Sequence, residues 1–361
     1  MRRLEFKLQL AALFHSQPEA SQSLNSNGHS SSFDPLNSRG KILVIRGGAI
    51  GDFILTLPAI AALRQQFPQA HLEILGYPHI AQLAQIGGLV NRVQSIEARA
   101  LAGFFARGGE LAGDLAGYFS GFNIIVSYLY DPDEIFQNNV ARCSRAIFIV
   151  GPHRPNEAGK IHATKVFLQP LERLAIFDAD HVPRLDVGQA SSRSLSPEAV
   201  IELVPPFDRL EACPTLALHP GSGSEKKNWP EARWAELIQH LLNANELNLL
   251  LVGGEAEGER LQRLAAALPP MRVRVAQSLS LAELARVLHG CMAFVGQDSG
   301  ISHLAAAVGL PCLVLWGDSV EEIWRPQGER VLILKNADGL KAMSVEKVAA
   351  ELTRVLTATS R

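Results

Sequence analysis

The chain lacks most of the features that mark specialised protein classes. Its four cysteines (Cys143, Cys213, Cys291 and Cys312) lie far apart in 361 residues. They form no Cys-x-x-Cys pair and no Cys/His cluster. That excludes a zinc site and a small disulfide framework, and leaves buried free thiols as the expectation. Neither sign of charge is in excess: 34 Lys and Arg face 36 Asp and Glu, a formal net charge of -2. No overall field draws the chain to DNA, RNA or an anionic surface, so no nucleic-acid partner is expected. Six arginines of the first half (Arg92, Arg99, Arg107, Arg142, Arg145, Arg154) are scattered among acids and build no dense basic cluster. No apolar run reaches the ~20 residues of a membrane-spanning helix.

What is present suits a globular protein. A hydrophobic fraction of 47% can bury real cores, and the length accommodates two domains of about 100–200 residues. Met1-Arg2-Arg3 precedes an apolar run to Phe14, but Glu5 and Lys7 interrupt it and no small-residue cleavage site follows. An extension is expected there rather than a secretory signal. Residues 16–38 are rich in Ser, Asn, Gln and Gly. They hold too little apolar surface to offset the entropy of ordering, so residues 1–39 read as a flexible N-terminal extension.

Order is expected from residue 40. Lys41 to Ile45 is a β-branched apolar run ending in Arg46-Gly47-Gly48-Ala49-Ile50-Gly51-Asp52, and helical periodicity follows through Leu57, Ile60 and Leu63. A buried parallel strand, a glycine turn and a helix fit that order. Runs at 71–75, 123–126 and 146–150 read as further strands. The pattern resumes with strands at 215–219, 249–252, 293–296 and 312–316. The expected organisation is α/β: a Rossmann-like, doubly wound domain over 40–190, a linker at 191–214, a second such domain over 215–343, and a C-terminal helix over 344–361. Each domain presents loops at its strands' carboxyl ends, which places a ligand cleft between the two.

Three loops carry the candidate chemistry. Gly47, Gly48 and Gly51 let the backbone approach a ligand, and Asp52 sits at a helix start. There it could cap the helix or serve as a general base at the cleft. The dinucleotide reading of such a loop wants an acid at the end of the second strand. Gly76-Tyr77-Pro78 stands there, and Glu73 lies inside the strand. In the second half, the small residues of His219-Pro220-Gly221-Ser222-Gly223-Ser224 suit diphosphate oxygens, and Lys227 supplies a compact positive charge. Gly296-Gln297-Asp298-Ser299-Gly300-Ile301-Ser302-His303 turns from a strand into an apolar helix whose N-terminus favours an anion. Asp298 would repel a phosphate, so capping or holding the Ser299-Gly300 backbone is expected of it, with His303 one turn into the helix.

Taken together, Ile45-Arg46 to Gly51-Asp52, His219-Pro220-Gly221 with Lys227-Asn228-Trp229-Pro230, and Asp298-Ser299-Gly300 with His303 resemble the motifs of glycosyltransferase family 9, the ADP-heptose lipopolysaccharide heptosyltransferases. Order and spacing agree over roughly residues 40–357. The resemblance implies a GT-B fold and a cytoplasmic, inverting, metal-independent transfer that needs no cofactor. It implies an ADP-linked nucleotide-sugar donor held by the second domain and a glycan or glycolipid acceptor held by the first, with peripheral contact at the inner membrane. By position it makes Asp52 the general base. Ser222, Lys227, Asp298, Ser299, Gly300 and His303 are its donor-binding residues, and Glu255, after Gly253-Gly254, is its ribose contact. Three other readings stay open: a sugar-nucleotide epimerase of the same fold, a dinucleotide oxidoreductase, and a non-catalytic nucleotide-sugar-binding relative.

Overall fold

The computed structural model describes residues 40–188, 214–266 and 268–358. The expected N-terminal extension, all but the last residue of the expected linker, Cys213 and residues 359–361 lie outside the described residues. The first half runs β1 Lys41–Arg46, α1 Ile50–Gln66, β2 His71–Gly76, α2 Pro78–Ile86, β3 Arg92–Ser95, α3 Gly113–Ser120, β4 Ile124–Ser127, α4 Ile135–Ala141, β5 Ile147–Val150 and α5 Ala163–Leu168. Its five strands are parallel, in the order β3-β2-β1-β4-β5. β1 shows why the run forms a strand. Ile42 and Val44 enter the core that α1 covers, while Leu43 and Ile45 enter another beside Phe104, Phe119 and Phe136. Both faces are covered, so the run is apolar throughout.

The second half runs β6 Thr215–Leu218, α6 Glu231–Ala244, β7 Asn248–Gly253, α7 Gly258–Ala265, β8 Val273–Gln277, α8 Leu281–His289, β9 Ala293–Gln297, α9 Gly300–Ala307, β10 Cys312–Leu315, α10 Glu321–Trp324, β11 Val331–Leu334 and α11 Val345–Ala358. Its six parallel strands are ordered β11-β10-β9-β6-β7-β8. Counted from β6 as first, that is the 3-2-1-4-5-6 order of a dinucleotide-binding sheet. α11 stays with this half: Val345, Val348 and Leu352 pack in one core with Trp234, Leu237 and Leu241 of α6. The fold class expected from the sequence, two Rossmann-like doubly wound sheets facing a cleft, is the one observed. Cys143, Cys291 and Cys312 are free thiols, and burial pushes all three up in pKa.

The two halves share a continuous apolar core. It joins Ile54 and Leu57 of α1 and Leu83 of α2 to Leu284 and Leu288 of α8 and Leu304 of α9. The Leu185 N–H also donates to Ala307 O at 2.8 Å. A close approach of the two halves is at Gly300, the first residue of α9. A Cβ there would lie 2.7 Å from Ile50 Cβ and 3.1 Å from the Gly51 nitrogen. Only glycine lets the N-terminal ends of α1 and α9 meet. Gly300→Ala is expected to cost about 1–3 kcal/mol through overpacking, read as a lowered midpoint in thermal unfolding. An unchanged midpoint would show that the helices part without strain.

In each sheet the strand order reverses at one place, between β1 and β4 and between β6 and β9. Ligands of open α/β sheets bind outside the strands' carboxyl ends at such reversals. Both reversals open onto one cavity.

Candidate active site

A cavity of about 1030 Å³ lies between the two sheets. Its first wall is the carboxyl end of β1 and the start of α1. Gly48 turns the chain with φ +102°, a conformation that L side chains rarely adopt. Gly47, Gly48, Gly51 and Asp52 all line the cavity, and Gly51 stands inside α1 rather than in the loop before it. Asp52 is the third residue of α1. Its Oδ2 accepts from the Ala49 N–H at 3.2 Å, and Oδ1 lies 3.9 Å from Arg46 Nη2. One oxygen steadies the turn while a third of the side chain stays exposed to the cavity.

Arg46 is the residue of this wall to which the sequence reading gave no separate role. Its guanidinium is buried at the end of an apolar strand, 4.5 Å from the Phe167 ring centroid. Nη1 donates to His153 O at 2.9 Å and Nη2 to Asp52 O at 3.2 Å. Burial lowers its pKa and the Asp52 carboxylate opposes that shift. The side chain ties the first turn of α1 to the loop after β5. A charged residue closing a β-branched run was the available signal.

The second wall is built from the loop after β6 and the start of α9. Gly223, Ser224, Lys226 and Lys227 line the cavity, as do Asp298, Ser299, Gly300 and His303. Lys227 Nζ lies 2.7 Å from Asp298 Oδ2, and Ser319 Oγ donates to the same oxygen. Asp298 therefore holds a lysine and a hydroxyl instead of capping the helix. The cap is Ser299, whose extended backbone lets Oγ accept from the Ser302 N–H at 3.3 Å. The His303 N–H bonds Ser299 O. Gly300 and Ile301 then carry the helix's first N–H groups, which have no partner within it.

Two expected contacts are placed elsewhere. Ser222 is buried, with Oγ 2.8 Å from both Ser224 O and Asn228 Oδ1. Its hydroxyl organises the loop, and Ser224 is the serine of this loop that lines the cavity. Glu255 is exposed at the end of β7 and outside the cavity lining. Glu257 instead reaches back, accepting from the Gly254 N–H at 2.9 Å.

His303 is buried, with its ring against Gly51 of α1, and its Nδ1 has no partner. Burial pushes its pKa down to about 4, with Asp298 opposing, so it presents a neutral ring at pH 7. His162 is also buried and pushed down to about 4. Its Nδ1 accepts from the Thr164 N–H at 3.3 Å, so Nε2 donates to Arg325 O at 2.9 Å. Both histidines take up a proton on unfolding below about pH 6.5 but not in the fold until about pH 4. Stability is therefore expected to fall as pH drops from about 6.5 towards 4, by roughly 3 kcal/mol per histidine at most. Urea unfolding across that range checks this, and a flat profile would contradict it.

The remaining lining was not singled out as a site in the sequence. Tyr130 and His153 meet with ring centroids 4.6 Å apart. Arg154 sits 5.2 Å over Trp324, whose Nε1 donates to Glu157 Oε1 at 3.2 Å. Tyr130 follows β4, His153, Arg154 and Glu157 follow β5, and Trp324 follows β10, and none of them sits in a recognisable motif. Their one signal is position after a strand's carboxyl end. Among the described residues no group of three or more His, Cys, Asp or Glu could hold a metal ion, and no helix is long and apolar enough to cross a membrane.

The cavity thus holds a lysine and an open helix N-terminus, suited to an anion, together with a partly exposed carboxylate. The chain is similar to several known proteins. The model of glycosyltransferase family 9 (heptosyltransferase) matches residues 182–352. Lipopolysaccharide heptosyltransferase 1 of Pseudomonas aeruginosa is 42% identical over 104 residues, 29% of this chain and 29% of that protein. Lipooligosaccharide heptosyltransferase 2 of Haemophilus influenzae is 22% identical over 324 residues, covering 82% of this chain and 89% of its own. The structure of E. coli heptosyltransferase WaaC with ADP superposes with a TM-score of 0.66 at 20% identity, covering 87% of this chain and 99% of that one. That likeness is one of fold, and the match to glycosyltransferase family 9 covers the second half of the chain.

Proposed function

We propose that the chain moves a heptose from an ADP-linked donor to a hydroxyl of a lipopolysaccharide-type acceptor, with inversion at the anomeric carbon. The observation that carries this is the opposition of Asp52 on one wall to Lys227 and the N-terminus of α9 on the other. The names of the aligned relatives and the ADP held by the E. coli protein support the sugar and the nucleotide.

In this reading the second sheet, over 215–343, holds the donor, and the first, over 40–190, holds the acceptor. The acceptor oxygen forms a bond to the anomeric carbon as the bond to the diphosphate breaks on the opposite face. Asp52 takes the acceptor's proton. Charge growing on the leaving diphosphate meets Lys227, the N–H groups of Gly300 and Ile301, and the positive end of the α9 dipole. The neutral His303 ring offers a hydrogen bond, Asp298 holds Lys227 in place, and Ser222 shapes the loop. The acceptor class puts the reaction in the cytoplasm, beside the inner membrane.

Incubation with ADP-heptose and a heptose-free lipopolysaccharide core in EDTA tests the reading. The acceptor is expected to gain one heptose mass, ADP to appear in equal amount, and the new anomeric centre to be inverted by NMR. Epimerised sugar nucleotide formed without acceptor would replace the transferase reading with the epimerase one.

A further inference from the structure

The loop between β6 and α6 carries Ser224, Lys226 and Lys227 into the cavity, and these residues need something to hold them there. At its start, His219 Nδ1 donates to Val252 O at 2.8 Å. Its middle is open, with Lys227 43% exposed and Glu225 81%. One group outside the cavity grips both parts. Arg260 of α7, only 15% exposed, donates from Nη1 to Pro220 O at 3.2 Å. From Nη2 it reaches both carboxylate oxygens of Glu225, at 2.9 and 3.0 Å. Glu225 opens the short turn Glu225–Lys227. Glu231, at the head of α6, lies 3.6 Å from Arg260 Nε and is itself held by Arg263 at 2.8 Å. The guanidinium fork thus fixes the two ends of the segment 220–225 from behind, and Lys227 follows two residues later with its Nζ set against Asp298.

We propose that Arg260 is a positioning residue for the diphosphate site: it bridges Pro220 O and Glu225 so that Lys227 is presented to the nucleoside diphosphate. This rests on the reading of the cavity as that nucleotide's site. A single exposed ion pair would stabilise the fold little. The effect here is geometric, because a planar fork holds Nη1 and Nη2 at a fixed spacing and reaches a carbonyl and a carboxylate together. Lysine has the charge without the fork.

Calorimetric titration of ADP into wild type, Arg260→Met, Arg260→Lys, Lys227→Ala and the double variant Arg260→Met/Lys227→Ala tests the assignment. Arg260→Met is expected to weaken ADP about 10-fold, the scale of coupling within one hydrogen-bonded network. Arg260→Lys is expected to restore less than half of the lost binding free energy. In the Lys227→Ala background, Arg260→Met is expected to add less than about twofold, because the group it positions is gone. A purely structural role would instead weaken ADP equally in both backgrounds, and that result, or unchanged affinity in Arg260→Met, would overturn the proposal. Should Arg260→Met fail to fold, Glu225→Ala removes the carboxylate end of the bridge at an exposed position and is held to the same two outcomes. ADP binding by wild type with no effect of either variant would sink this inference alone. Failure of wild type to bind ADP would sink the site reading beneath it as well.

Discussion

Asp52→Asn is expected to lower kcat for sugar transfer by about 10²–10⁴-fold, the usual contribution of a positioned general base. Its ADP affinity should stay within about twofold of wild type. The substitution separates two roles that one carboxylate holds at once. Oδ2 accepts from the Ala49 N–H, and an asparagine carbonyl can accept the same bond, so the turn into α1 is kept. What asparagine cannot do is take a proton at neutral pH. Asp52 also belongs to the other wall from Lys227 and Asp298, so nucleotide binding is expected to change little with it. Steady-state kinetics with acceptor, beside ADP calorimetry, gives both numbers. Turnover near that of wild type would mean that Asp52 is only a helix-end residue and that another group takes the proton.

Lys227→Ala is expected to weaken ADP by about 10–100-fold and to lower kcat/KM at least as much. Removing a surface lysine ordinarily costs little. Here the partner decides the size. Asp298 is 9% exposed and keeps its charge company mainly with Lys227, 2.7 Å away. Taking the lysine away leaves a buried carboxylate with no cation, aimed at the place a diphosphate would occupy. The penalty is therefore a lost attraction together with a new repulsion. Lys227→Ala/Asp298→Asn is expected to recover part of the affinity lost in Lys227→Ala, because it removes the repulsion. ADP calorimetry on the single and double variants checks this. A Lys227→Ala protein that binds ADP like wild type would remove the lysine from the donor site.

The parts of this architecture that could be read from the sequence are those whose physics is local. All eight strands inferred from apolar runs are present: seven are interior strands, which must be apolar when covered on both faces, and β5 is an apolar edge strand. Three strands were missed: β3 Arg92–Ser95, β8 Val273–Gln277 and β11 Val331–Leu334. Each is the last strand at an edge of its sheet. With a half-exposed face, Arg92-Val-Gln-Ser95 has no reason to look like Ile42-Leu-Val-Ile45. The glycine turn before Asp52 and the anion-suited start of α9 were legible for the same local reason.

The pairing across the cavity was not. Asp298 next to Ser299 at a helix start reads as a cap, since nothing nearby in the chain shows that Lys227, 71 positions earlier, will arrive beside it. Gly300 reads as a turn glycine, while its observed constraint is Ile50 of the other sheet's helix. Arg154 reads as one of six scattered arginines and proves to lie over Trp324 in the cavity wall. Such neighbours are set by how two sheets pack, and sequence spacing holds no record of it.

Calorimetric titration of the wild-type protein with ADP, UDP, GDP and a dinucleotide, in EDTA, tests most directly whether this cavity is a site for the nucleoside diphosphate of a sugar donor. The expected result is saturable binding of ADP, tighter than that of UDP or GDP, with the dinucleotide no better than ADP. Binding of the dinucleotide alone would contradict the account, because neither Lys227 nor the start of α9 would then be holding a leaving diphosphate.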